Sequence, residues 1–274
     1  MARRKNSEPP EATATAPSEA WQAALDTSRA IGGVPGPGRW LVVGYLPTAL
    51  FSLKASTATS SVGKTLLVPT GYAIKMALVD AAFRAGLADE VCADLVRSLA
   101  RVDRRISPPA YAVVTHTFVK IRQESRDADP LRPYGPSIAY REFVYYQGLW
   151  RWAFDLAHVD EQAAQRIAFL APRVNYVGKR GSFVQFTGVR RIVDLSAEFT
   201  LPMPQPGGEP MTTMRLPRRW HGAILDDFGP EADLAVLSSF SSAKISRERH
   251  RRFVHTLVPL GLVSSGPGFS YYEA

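Results

Sequence analysis

Residues 66–82 read L-L-V-P-T-G-Y-A-I-K-M-A-L-V-D-A-A, a helix pattern that is apolar almost all round. Such a helix offers little to solvent, so it is expected to be a buried one. It follows the apolar run 40–51, which reads as a strand. Thr70 supplies an N-cap, because its side-chain oxygen can accept a free backbone N–H, and Gly86 supplies a stop. A strand, a polar loop, a proline-gated turn and a buried helix make half of a β-α-β unit.

The 274 residues allow one large domain or two small ones. Net charge is +8 with a pI near 9.7. A basic balance favours a polyanionic partner, nucleic acid ahead of an anionic membrane. The lone cysteine, Cys92, forms no intrachain disulfide and has no CxxC partner for zinc, which fits a reducing cytoplasm. No run is long and apolar enough to span a bilayer, and M-A-R-R-K is not followed by the apolar stretch of a secretory signal. No cofactor or metal is implied by any motif.

Residues 1–38 are expected to be disordered or a linker, apart from a short helix over 19–30 capped by Ser18. The Gly/Pro cluster 32–38 ends this segment, and the folded body begins near Arg39. After the first helix, Val91, Leu95, Leu99 and Val102 mark a second. Residues 111–121 predict a strand with Val114, His116, Phe118 and Lys120 on one face. Strands over 138–146 and 149–156 predict a hairpin turning at Gln147-Gly148. A helix over 160–171 and a strand over 182–186 follow. The fold class is α+β, a ferredoxin-like β-α-β-β-α-β domain over 39–187 with an inserted hairpin strand. Residues 188–274 read as a β-rich C-terminal extension or subdomain.

Residues 58–65, A-T-S-S-V-G-K-T, approach a phosphate-binding G-x-x-x-x-G-K-[ST] loop. Ala58 replaces the first glycine, and Pro69 falls where the helix should already run, which argues against nucleotide hydrolysis. The helix start is a better candidate. Thr70, Gly71 and Tyr72 offer backbone N–H donors, close approach and an aromatic ring, and Lys75 lies about one turn on. Packing of the helix on a sheet explains Gly71 and Tyr72 equally well.

Residues 175–183, N-Y-V-G-K-R-G-S-F, place Lys179 and Arg180 between two glycines. A tight turn explains the glycines but not the paired cations, which suit RNA. Lys244, Arg247 and Arg251 would share a face if 244–252 were helical, giving a phosphate-tracking surface or simply a solvated one. The aromatic run 140–146 puts Arg141, Phe143 and Tyr145 on one face, a stacking platform or core. For cleavage, only His116, Lys120 and Tyr72 combine groups able to deprotonate a 2′-hydroxyl and protonate a leaving oxygen. A structural histidine is the competing explanation.

The segment V-P-T-G-Y-A-I-K-M-A-L-V-D-A-A-F-R-A-G, the expected hairpin Y-R-E-F-V-Y-Y-Q-G and the turn N-Y-V-G-K-R-G-S-F resemble CRISPR-associated RAMP proteins. Among these the fifth Cas family is the most similar. The resemblance covers residues 40–186 and implies a ferredoxin-like domain gripping the 5′ handle of a CRISPR RNA (crRNA). It also implies backbone RAMP subunits and a large subunit as partners in a type I surveillance complex, with target DNA nearby. In one subtype a member cuts precursor RNA with Tyr, Lys and His. This chain has no adjacent Lys-His pair, which favours a non-cutting subunit. A metal-independent endoribonuclease and a structural interaction protein without RNA contact are the alternatives.

Overall fold

The computed structural model describes residues 38–54, 62–124, 131, 133–203, 220–238 and 241–274. The expected N-terminal helix and Ala58 lie outside these residues.

Strand β1 (Trp40–Pro47) is the centre of the first sheet. It pairs antiparallel with β6 (Trp150–Asp155) on one side and β7 (Val184–Ile192) on the other. The short β3 (Arg104–Ser107) closes the sheet beyond β6, giving the order β3-β6-β1-β7. Both faces of β1 are covered, which explains a continuous apolar run rather than alternation. Leu41, Val43 and Tyr45 enter the main core, while Trp40 and Val42 meet Ala153 and Phe199 behind it.

Helices α1 (Gly71–Arg84) and α2 (Asp89–Ala100) connect β1 to β3, and α3 (Glu161–Leu170) connects β6 to β7. Chain order and sheet order together make the ferredoxin-like β-α-β-β-α-β topology. Thr70 caps α1 by accepting from Ala73 N at 3.1 Å, as the sequence predicts. The helix packs on α2, α3 and β9 (His221–Phe228), so Ile74, Leu78, Val79 and Ala82 are all buried. Gly86 at φ 78° ends it.

Two sequence-based expectations are corrected. The second strand of the ferredoxin unit is β3, not residues 111–121. Its four residues, R-R-I-S, are too few and too charged to read as a strand. Residues 138–146 and 149–156 do not form a hairpin. The former lies in β5 (Tyr134–Gln147), which pairs along its length with β4 (Tyr111–Glu124), while β6 joins the first sheet. At Gln147-Gly148 the chain therefore crosses between sheets; two adjacent apolar strands look alike whether they pair or part.

The β4/β5 pair belongs to a second sheet of order β11-β12-β4-β5-β2, with β2 (Val62–Gly63), β11 (Gly261–Gly266) and β12 (Phe269–Glu273). C-terminal β12 thus pairs with β4, inserted in the ferredoxin unit. The expected boundary at 187/188 falls within β7. A third sheet orders β8 (Leu201–Pro202), β10 (Arg251–Val258) and β9, and it lies over the start of α1. A one-turn helix, α4 (Leu234–Leu237), follows β9. No helix is long and apolar enough to cross a membrane among the described residues.

Candidate nucleic-acid interface

The first turn of α1 is enclosed. A Cβ at Gly71 would stand 2.3 Å from Arg104 Nε and 2.6 Å from Asp227 Cγ, so only glycine lets β3 and β9 approach this closely. Lys75 is fully buried, and its Nζ lies 2.8 Å from Asp227 Oδ1. Arg252 Nη2 and Arg104 Nε stand 3.7 and 3.9 Å from the other oxygen of the same carboxylate. Burial alone would raise the Asp227 pKa; Lys75 and Arg104 outweigh it and hold the carboxyl below its ordinary value. Expected phosphate contacts by Thr70, Gly71 and Lys75 are therefore corrected: all three are buried, Gly71 against Arg104 of β3 and Asp227 of β9, and Lys75 against Asp227. The partners that close them come from remote parts of the sequence.

Tyr72 is half-buried at the outer edge of this turn. Its ring meets Phe228 edge-on at 5.5 Å, and the Arg251 guanidinium lies 4.2 Å from its centre. Arg251 also donates to Asp226 at 2.6 Å. Tyr72 is thus engaged in joining α1 to β9 and β10.

The Lys179-Arg180 turn is an exposed hairpin tip before β7. Tyr176 and Phe183 bridge across it, and Ser182 N donates to Lys179 O at 3.0 Å. Gly178 and Gly181 take φ of 72° and 98°, conformations that favour glycine. Both cations face solvent.

The region of Lys244 and Arg247 is not helical. Residues 241–246 are irregular, a turn follows, and Arg251 begins β10, so the expected shared face is corrected. A left-handed Glu248 at φ 79° breaks any helix there. Lys244 is exposed, whereas Arg247 lines a cleft and lies 5.9 Å from the Phe253 ring centre.

The β4/β5 pair is buried at its base through Ala112, Val114, Val144 and Tyr146, then runs out into solvent. His116 lies opposite Glu142, with Nε2 3.8 Å from Oε1. Phe118 meets Tyr140 edge-on at 5.6 Å, and Lys120 lies opposite Ile138. Phe118 is 73% exposed and Ile138 70%, on the same face as the cations Lys120 and Arg122. The sequence placed Phe118 and Lys120 together by alternation; the cross-strand register supplies Ile138. His116 and Lys120 stand roughly 13 Å apart along the strand, too far to serve one bond jointly. Tyr72 belongs to a different set of neighbours. Among the described residues no group of His, Cys, Asp or Glu converges as metal ligands would.

The Asp227 cluster was not anticipated from the sequence. Its signal was Asp226-Asp227 inside the otherwise apolar strand H-G-A-I-L-D-D-F, since buried carboxylates need buried cations. Beside it opens a cleft of about 770 Å³ where Arg104, Arg105, Arg247 and Arg252 stand with the carboxylates of Asp103, Asp227 and Glu248.

No family model and no curated protein matches the sequence. Among the solved structures that match are three chains of CRISPR proteins, each with a TM-score below 0.5. The crystal structure of a CRISPR protein from Archaeoglobus fulgidus has a TM-score of 0.45 at 12% identity, covering 86% of this chain and 91% of that one. A chain of a CRISPR RNA-guided surveillance complex has a TM-score of 0.41 at 16% identity, covering 80% and 91%. A chain of the type III-B Cmr-beta complex bound to cognate target RNA has a TM-score of 0.38 at 9% identity, covering 63% and 65%.

Proposed function

We propose that this protein is an RNA-binding subunit of a CRISPR effector complex. In this reading it holds the 5′ handle of the crRNA and joins backbone RAMP subunits to the large subunit. The observation that carries the reading is the outer half of the β4/β5 arm. Phe118 and Ile138 stand exposed beside Lys120 and Arg122. An aromatic side chain can stack on a splayed base while neighbouring cations neutralise phosphates, the combination single-stranded RNA requires. The exposed Lys179-Arg180 turn and the net charge of +8 support the same partner.

Fluorescence anisotropy with repeat-derived RNA across a salt series tests this. Lys120→Ala with Arg122→Ala, and separately Lys179→Ala with Arg180→Ala, are expected to flatten the salt slope by about 0.7 per lost phosphate contact. Phe118→Ala is expected to weaken binding by about 1–3 kcal/mol with the slope unchanged. Wild-type affinity and slope in all three variants would overturn the reading.

A second reading, a metal-independent endoribonuclease, draws on His116 beside Glu142. Incubation of the protein with repeat RNA in EDTA decides it. A cyclic-phosphate product that disappears in His116→Ala would favour this reading.

A further inference from the structure

Arg104 is 5% exposed, yet its Nε and Nη2 have no hydrogen-bond partner among the described residues. Its nearest carboxylate oxygen, on Asp227, is 3.9 Å away, and that carboxylate already faces Lys75 at 2.8 Å. Arg252 repeats the pattern. Its Nη2 binds Asp103 at 2.6 Å, while its Nε is buried without an acceptor among the described residues. Buried donors left without acceptors are costly, and native proteins rarely keep several together. Both arginines line the cleft beside β3, β8 and β10, and Arg105 and Arg247 line it with them. Asp103, Asp227 and Glu248 line the cleft as well, yet they leave Arg104 Nε and Nη2 and Arg252 Nε without a hydrogen-bond partner among the described residues.

We infer that this cleft is an oxyanion site that takes a phosphate group, with Arg104 and Arg252 as its principal donors. A guanidinium presents its N–H groups as a planar fork, and a phosphate supplies several acceptor oxygens around one centre. The volume of about 770 Å³ admits a phosphate carried on a nucleotide-sized body as well as the free ion. Asp227 sets the position of the site by holding Lys75, Arg104 and Arg252 around one point. Arg247, more exposed than Arg104, stands at the side open to solvent. The inference goes beyond RNA binding by the β4/β5 arm and does not depend on it, because the probe is inorganic phosphate alone.

The test uses the full-length protein. Inorganic phosphate is titrated while its ³¹P line width and the protein's melting temperature are recorded, against sodium chloride at matched ionic strength. Saturable broadening and a phosphate-specific rise in melting temperature are expected. Arg104→Gln and Arg252→Gln should each weaken half-saturation by about tenfold or more. Arg252→Lys keeps the charge but loses the fork, and covers the case in which Arg104→Gln does not fold; the same loss is expected. No effect beyond that of salt, or equal saturation in the variants, overturns the site. Competition then identifies the source. Displacement of phosphate by RNA lacking a terminal phosphate would assign a backbone phosphodiester. Displacement only by a nucleoside monophosphate would assign a free monoester. Either result supports the oxyanion site.

Discussion

Lys75 Nζ and Asp227 Oδ1 lie 2.8 Å apart with both side chains closed off from water. The pair ties the first turn of α1 to the end of β9. Removing the carboxylate strands Lys75 and Arg104 as unbalanced buried cations, whereas removing Lys75 leaves Asp227 near Arg104 and Arg252. Asp227→Asn is therefore expected to cost about 3–5 kcal/mol in urea unfolding, and Lys75→Met distinctly less. Equal costs would show that the two arginines do not share the carboxylate.

Gly71 is the backbone counterpart of that pair. Gly71→Ala places a methyl group 2.3 Å from Arg104 Nε and 2.6 Å from Asp227 Cγ, so the ion cluster must shift. A loss of about 1–3 kcal/mol is expected, despite alanine's better helix propensity. A variant as stable as wild type, by thermal melting, would mean that β3 and β9 do not press on this turn.

Arg39 and Asp155 give the protein an acid-sensitive tie at the start of β1. Arg39 Nε donates to Asp155 Oδ1 at 2.8 Å. This hydrogen bond, with one from Ala157 N, holds the Asp155 pKa below its ordinary 3.8 despite burial. A depressed folded pKa contributes stability that is present above 3.8 and lost as pH falls through the lower folded value. Unfolding free energy measured between pH 5 and pH 2 should fall less steeply in Asp155→Asn than in wild type. Parallel curves would remove Asp155 from the acid response.

The outer β4/β5 arm should separate binding from stability. Phe118 and Ile138 make little of the core, so Phe118→Ala and Ile138→Ser are each expected to leave unfolding free energy within about 0.5 kcal/mol of wild type. Leu78→Ala in α1, by contrast, should cost about 2–5 kcal/mol. Chemical denaturation of the three variants side by side checks the contrast. A large loss in Phe118→Ala would place the arm in the core instead.

Local signals carried far in this chain. Thr70 as a cap, Gly86 as a stop, the apolar run of β1 and the glycine-framed Lys179-Arg180 turn were all legible, because each depends on residues within a few positions. Alternation placed Phe118 and Lys120 on one face of β4 for the same reason. Strand β3 was not legible, since four residues with two arginines carry no period. The partner of β5 was not legible either, because residue pattern does not say which strand lies alongside.

The sequence by itself determined that α1 is largely buried, and that the class is α+β with a ferredoxin-like order. Only the tertiary structure decided what buries α1. Asp227 and Phe228, on the edge of a C-terminal sheet, close over Gly71 and Lys75 and turn an expected phosphate contact into an internal ion pair. The physical reason is that a lysine one turn into a helix has the same local pattern whether its ammonium meets solvent or a carboxylate. The choice is made by long-range packing, which brings an acid from far along the chain to one end of the helix.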